Sequence, residues 1–316
     1  RLNSHLSRVN WGAAMGNIIL LLFCFAAGIV LRGMGRLPEN TSAALNAFII
    51  NIGLPAMALG YLNKVEIQPA LLYAALMPWI MFVVGAAILW PLCRIMKFPR
   101  HTTGCVILVG ALANTSFIGI PMIEAFYGAR WMSVGIVVDQ LGSFIVLSIL
   151  GITVSRLFAD GPRPNLKDIA HRIVAFPPFI ATIAAVLLLP VTYPEWLDTL
   201  LIRLAATVAP LALVSVGFQL RLSDVRGKVR PLTLALSYNL VFGPLIILGL
   251  YVGLLDVGGP VIQVTIFEAA MAPMISAAIV AMDNDLDPPL ATLLVGLGVP
   301  LSFLTLPFWH QVLAGV

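Results

Sequence analysis

Leu112-Ala113-Asn114-Thr115-Ser116-Phe117-Ile118-Gly119-Ile120-Pro121-Met122-Ile123-Glu124-Ala125-Phe126-Tyr127-Gly128 lies inside an apolar segment, yet three small polar residues stand together in it, followed by Gly119 and Pro121. A continuous lipid-facing helix is not written this way. Proline removes a backbone donor and crowds the preceding turn, and backbone groups freed at membrane depth need protein, water or a ligand as partners. The stretch predicts a broken helix whose break is a binding site. A half-helix there presents free N–H groups that favour an anion such as a carboxylate. Asn114, Thr115 and Ser116 add side-chain donors and acceptors. The plainer alternative is a proline kink capped by Thr115 or Ser116.

Around this stretch, 60% of the 316 residues are hydrophobic and 10% are charged, with a mean hydropathy of +1.01. Soluble domains carry about 25% charged residues, so the composition predicts an all-α polytopic membrane protein. At about 20 residues per span, the length holds about ten helices. The apolar runs fall at 11–33, 40–61, 69–93, 102–128, 131–158, 169–190, 196–220, 231–255, 260–282 and 288–314. The net charge of +4 comes from basic residues between these runs. That pattern marks topology and a lipid bilayer as partner, with no nucleic acid. Cys24, Cys93 and Cys105 form no CxxC pair and read as small buried hydrophobes. No phosphate-binding, GxSxG or HExxH signature is present, and the chain is not expected to be an enzyme or to carry a cofactor.

The links after the odd-numbered runs carry Arg32 and Arg36; Arg94, Lys97 and Arg100; Arg156, Arg163, Lys167 and Arg172; and Arg221, Arg226, Lys228 and Arg230. They outnumber Arg1, Arg8, Lys64, Arg130 and Arg203 on the other side. The excess predicts cytoplasmic odd links and both termini on the outer side of the plasma (inner) membrane. The run after Arg1 and Arg8 reads as a first span rather than a signal peptide. The polar link 159–168 separates 11–158 from 169–314, five runs each, so the second set enters from the opposite side. That is the arrangement of an inverted repeat. Prolines fall in corresponding runs: Pro55 with Pro210, Pro78 with Pro244, Pro121 with Pro273.

The ninth run holds Glu268-Ala269-Ala270-Met271-Ala272-Pro273-Met274-Ile275-Ser276. Intramembrane acids are costly and face a cavity or a partner. Glu268 is the candidate for carrying a coupling proton or ligating sodium, and Asp139, beside Gln140, is the second. Pro121, Pro273 and Ser276 join Asn114, Thr115 and Ser116 as the expected substrate-binding set. Tyr238, Asn239 and Gln263 read as polar glue between helices. Asp283-Asn284-Asp285-Leu286-Asp287 begins like a calcium loop. Pro288 and Leu294 then stand where glycine and glutamate are required, so it reads as an acidic helix cap. Gly12 with Gly16 and Gly249 with Gly253 fit the small-residue packing spacing.

Asn114 to Pro121, followed by Tyr127-Gly128, resembles the fourth helix of the auxin efflux carrier family, which includes plant auxin exporters and bacterial carriers of organic acids. Asn51-Ile52-Gly53-Leu54-Pro55-Ala56, Pro210-Leu211-Ala212-Leu213 and Ala269-Ala270-Met271-Ala272-Pro273 resemble it too, so the likeness runs along nearly the whole chain. The resemblance implies ten helices in two inverted five-helix repeats, with helices four and nine broken and crossing. It implies a scaffold, 11–61 with 169–220, that often forms a homodimer, and a moving transport domain, 69–158 with 231–314. It also implies an elevator mechanism for monocarboxylate or dicarboxylate anions. The bile acid–sodium symporters share this architecture at greater distance. The plant members' long central loop is replaced by the short 159–168 link, and their proline-glutamine pattern is not reproduced around Pro273. Auxin is therefore not the expected substrate. Two rival readings are a bile-acid-type sodium symporter of larger amphipathic anions and an organic-acid sensor that does not transport.

Overall fold

The computed structural model describes residues 11–62, 69–159, 166–220 and 225–316, and every regular element among them is helical. The expectations attached to Arg1, Arg8, Lys64, Arg163 and Arg221 lie outside the described residues, as does most of the 159–168 link. In chain order the helices are α1 (Trp11–Gly33), α2 (Thr41–Leu62), α3 (Leu71–Ile95), α4 (Arg100–Gly110), α5 (Ile120–Tyr127), α6 (Met132–Phe158) and α7 (Leu166–Val174). They continue with α8 (Pro177–Leu187), α9 (Glu195–Phe218), α10 (Val229–Leu254), α11 (Pro260–Ala269), α12 (Ile275–Asp283) and α13 (Pro288–Leu313). Among the described residues six of these, α2, α3, α6, α9, α10 and α13, are long and apolar enough to cross a membrane. The predicted fourth, sixth and ninth runs are each divided into shorter pieces. Large apolar side chains lie on the outside, with Ile95 75%, Leu304 74% and Phe23 69% exposed, as a surface solvated by lipid requires.

Three prolines follow π-helical turns at the same spacing. π-helical turns at Ile49–Gly53, Thr115–Gly119 and Tyr238–Phe242 each end two residues before a proline, Pro55, Pro121 and Pro244. The widened turn accommodates the missing N–H and the ring's clash with the preceding turn. Pro78 and Pro91 sit inside α3, and Pro300 and Pro307 inside α13, without ending either helix. Proline alone therefore does not locate a break.

α1 runs against the end of α9 and contacts α5, while α2 packs on α8 and α9. A Cβ built on Gly217 would overlap the carbonyl of Phe25, and one on Gly28 would overlap that of Val214, so the two backbones meet through these glycines. The spaced glycines singled out from the sequence do not do this: Gly16, Gly249 and Gly253 meet nothing within 4 Å. α3, α4, α6 and α10 to α13 pack around one another in a second group.

The basic links gather at one end of the bundle. Arg32 Nη1 donates to Phe218 O at 3.0 Å, and Arg100 Nε donates to Leu157 O at 3.1 Å. Lys228 Nζ pairs with Asp287 Oδ2 at 2.6 Å, and Thr102 Oγ1 donates to the same oxygen at 2.5 Å. A cavity of about 740 Å³ joins Arg32 and Phe218 to Pro288 and Thr292 at this end. Asp287 has a left-handed φ of 50° and its Oδ1 accepts from Leu290 N at 3.4 Å, capping α13. The acidic run before α13 is a cap, as its sequence indicated, and no cluster of three metal-ligating side chains occurs among the described residues.

Candidate functional site

Two interruptions face each other in the second helix group. α4 stops at Gly110, and regular structure resumes at the Thr115–Gly119 turn that leads into α5. α11 stops at Ala269 and α12 starts at Ile275. Asn114 N donates to Ala272 O at 2.7 Å, and Met274 N donates to Leu112 O at 2.9 Å. Ala113 and Pro273 form the antiparallel bridge between them. Each break thus partners backbone groups that the other has freed, which is how irregular backbone survives at membrane depth.

This geometry corrects the position of the first break. It lies at 111–114, at the N-terminal edge of the stretch and ending on Asn114, the first of the polar triplet, and Pro121 sits in the first turn of α5 beyond it. Pro273 is inside its break, opposite Ala113 rather than in a place equivalent to Pro121. The cap of the restarting helix is Asn114, whose Oδ1 accepts from Phe117 N at 3.1 Å, and not Thr115 or Ser116. An Asn at this position satisfies one of the orphan donors of the first turn.

Two helix N-termini, at Thr115 and Ile275, and two C-termini, at Gly110 and Ala269, therefore meet at one crossing. The N-termini carry partial positive charge and the C-termini partial negative charge. Asn114 Nδ2, Ser116 Oγ and Ser276 Oγ are buried here and make no hydrogen bond within the protein.

The carboxylates come from the flanking helices. Thr115 Oγ1 donates to Asp139 Oδ1 at 2.7 Å and lies 3.0 Å from Ser143 Oγ. Gln140 Nε2 donates to Asp139 Oδ2 at 2.6 Å. Ser116 Oγ lies near the same carboxyl group but outside hydrogen-bonding geometry. Glu268, in the last turn of α11, is fully buried and neither of its oxygens has a hydrogen-bond partner. Its carboxylate fills the space where a Gly119 side chain would stand, and a Cβ on Gly135 would lie 3.1 Å from Oε1. Gly135 and Asp139 are one turn apart on α6, so both acids border the same face. Among the described residues neither acid has a Lys or Arg partner.

Two further residues belong to this place. Asn239 Nδ2 donates to Leu112 O at 3.1 Å, bracing the first break, and its Oδ1 is buried and unbonded. Gln140 Oε1 is also buried and unbonded. Tyr238 and Gln263 are glue, as expected: Tyr238 OH donates to Met81 O at 2.6 Å and Gln263 Nε2 to Val316 O at 3.2 Å.

A family model described as membrane transport protein matches residues 13–162 and again 162–310. The chain belongs to the membrane transport protein family. It is the family of the auxin efflux carriers that the Asn114–Pro121 stretch resembles. Two relatives within this family are archaeal proteins, each named an uncharacterized transporter. The one from Methanothermobacter thermautotrophicus is 28% identical over 304 residues, covering 94% of this chain and 97% of its own. The one from Methanocaldococcus jannaschii is 24% identical over 309 residues, covering 95% and 98%. In a membrane transport protein, interrupted helices that meet are where half-helix ends and unwound backbone receive substrate and ions. The crossing of residues 111–114 with 270–274 has that form.

Proposed function

We propose that the protein is a secondary active transporter of small organic anions, monocarboxylates or dicarboxylates, coupled to a proton or sodium gradient. The observation that carries this reading is the pairing of the two breaks, which brings two half-helix N-termini to one crossing with the unbonded polar atoms of Asn114, Ser116 and Ser276. The substrate carboxylate binds there, between Asn114-Thr115-Ser116 and Ser276, with Pro273 keeping the second break open and Pro121 shaping the turn behind the first.

Glu268 and Asp139 hold the coupling cation. Two fully buried carboxyls with no basic partner cost too much to stay ionised in a membrane without a bound cation. Protonation and sodium both answer that requirement, and the C-terminal ends of α4 and α11 favour positive charge beside them.

In this reading the chain is two inverted five-helix repeats. Residues 11–61 and 169–220 form a dimeric scaffold, and 69–158 and 231–314 form a transport domain that slides against it. The basic end faces the cytoplasm and both termini face outward from the plasma membrane. In Glu268→Gln, carboxylate uptake into proteoliposomes is expected to lose its dependence on an imposed proton or sodium gradient, while exchange without a gradient continues. Imposing each gradient separately on the wild type identifies the ion. Unchanged gradient dependence in Glu268→Gln would remove the residue from the coupling site.

A further inference from the structure

A second cavity, of about 850 Å³, has no part in the breaks. It opens at the basic end, between the last turns of α3, the start of α4 and the end of α6, and its lining includes Ala87, Trp90, Arg94, Arg100, Ile107 and Val154. Its two ends differ chemically. At the mouth, the Arg94 guanidinium stands 5.6 Å from the centroid of the Trp90 ring, and both side chains are exposed. Arg100 is exposed too, and its guanidinium is anchored by the Leu157 carbonyl in the last turn of α6. Toward the middle of α3 the walls are apolar: Ala87, Ile107 and Val154. At 1.5 Å per residue, Ala87 lies about 10 Å further along α3 than Arg94.

We infer that this groove binds an anionic phospholipid, its phosphate held by Arg94 and Arg100 and an acyl chain lying along Ala87, Ile107 and Val154. A small soluble anion would use the two cations and leave the apolar walls uncovered. A zwitterionic lipid would cover the walls but bring its own cation against two arginines. Only a lipid with net negative charge complements both ends, and a tryptophan at the mouth is the residue that favours the headgroup level. Basic pockets between membrane helices on the positively charged side are suited to such headgroups. The groove is built entirely from 69–158, so a bound lipid stays with that part of the chain whether or not it moves.

The test is lipid retention by the purified full-length protein in detergent, read by native mass spectrometry with phosphatidylglycerol and phosphatidylcholine at equal concentration. The wild type is expected to retain phosphatidylglycerol in preference. Arg94→Gln, which leaves the Arg100 anchor intact, is expected to lower that preference about fivefold, and Arg94→Gln with Arg100→Gln to lower it about 25-fold. Ala87→Leu, which crowds the apolar end of the groove, is expected to lower retention of both lipids. Equal retention of the two lipids by the wild type, or an unchanged preference in Arg94→Gln, would overturn the inference. So would displacement of phosphatidylglycerol by inorganic phosphate, which would mark a site for a soluble anion.

Discussion

At Gly119 the chain gives up a side chain to the Glu268 carboxylate, which stands where a Cβ would be. Overpacking a filled site costs about 1–3 kcal/mol. Gly119→Ala is therefore expected to lower the thermal stability of the detergent-solubilised protein by that amount, and Glu268→Ala in the same chain to restore part of it. A Gly119→Ala protein that melts with the wild type would show that the carboxylate has room to move aside. Asn114 works differently, since its two amide atoms have separate roles: Oδ1 caps the restarting helix and Nδ2 is left for another partner. Asn114, Glu268 and Asp139 are legible in the sequence because polar groups in an apolar run need a reason. Gln140 is not legible as a site residue, and Asn239 is legible only as the polar glue between helices that its bond to Leu112 O makes it. A buried amide that braces two helices and one that leaves an atom at a crossing read alike, and only the partner of Asn239 Nδ2, the carbonyl of Leu112, separates the two roles.

The two breaks form one element although they lie far apart in the chain. Sequence places an interruption in this run from Gly119 and Pro121, but the helix gives way at 111–114, which contains neither glycine nor proline. Ala111 to Ala113 can leave the helix because Ala272 O and Met274 N replace the hydrogen bonds that helix continuation would have made. That compensation is tertiary and leaves no local mark. Pro121 instead shapes the π-helical turn before it, as Pro55 and Pro244 do. The cap of α13 is local, and there the sequence reads correctly. Asp287 is buried, left-handed and paired with Lys228, whose side chain is 29% exposed. Asp287→Asn keeps a capping oxygen but removes the charge. It is expected to cost about 1–2 kcal/mol, less than a fully buried pair because water reaches Lys228. Thermal melts of Asp287→Asn and Lys228→Met check this, and a cost near zero for both would assign Asp287 to capping alone.

At the scale of the whole molecule, the all-helical fold and its lipid-facing surface follow from composition and from the length of the apolar runs. What composition does not give is how the helices group, because α1 and α9 meet through Gly28 and Gly217 rather than through the spaced glycines that stand out in the sequence. The proposed scaffold and transport domain face each other across the cavity lined by Ser42 and Thr292. A bifunctional thiol reagent bridging Ser42→Cys and Thr292→Cys is expected to stop transport, while bridging Leu37→Cys and Phe218→Cys, both within the proposed scaffold, leaves it running. Transport that continues across the first bridge would contradict relative movement of the two parts. The central claim, that the paired breaks bind and carry a small organic anion, is tested most directly by counterflow of labelled acetate, lactate, succinate and malate in proteoliposomes, comparing the wild type with Asn114→Asp. That variant keeps the capping oxygen, removes the Nδ2 donor and sets a negative charge against the substrate. The account predicts that the wild type exchanges at least one of these acids and that Asn114→Asp, folded and melting close to the wild type, exchanges none; exchange of the same acid at the wild-type rate by Asn114→Asp would contradict it.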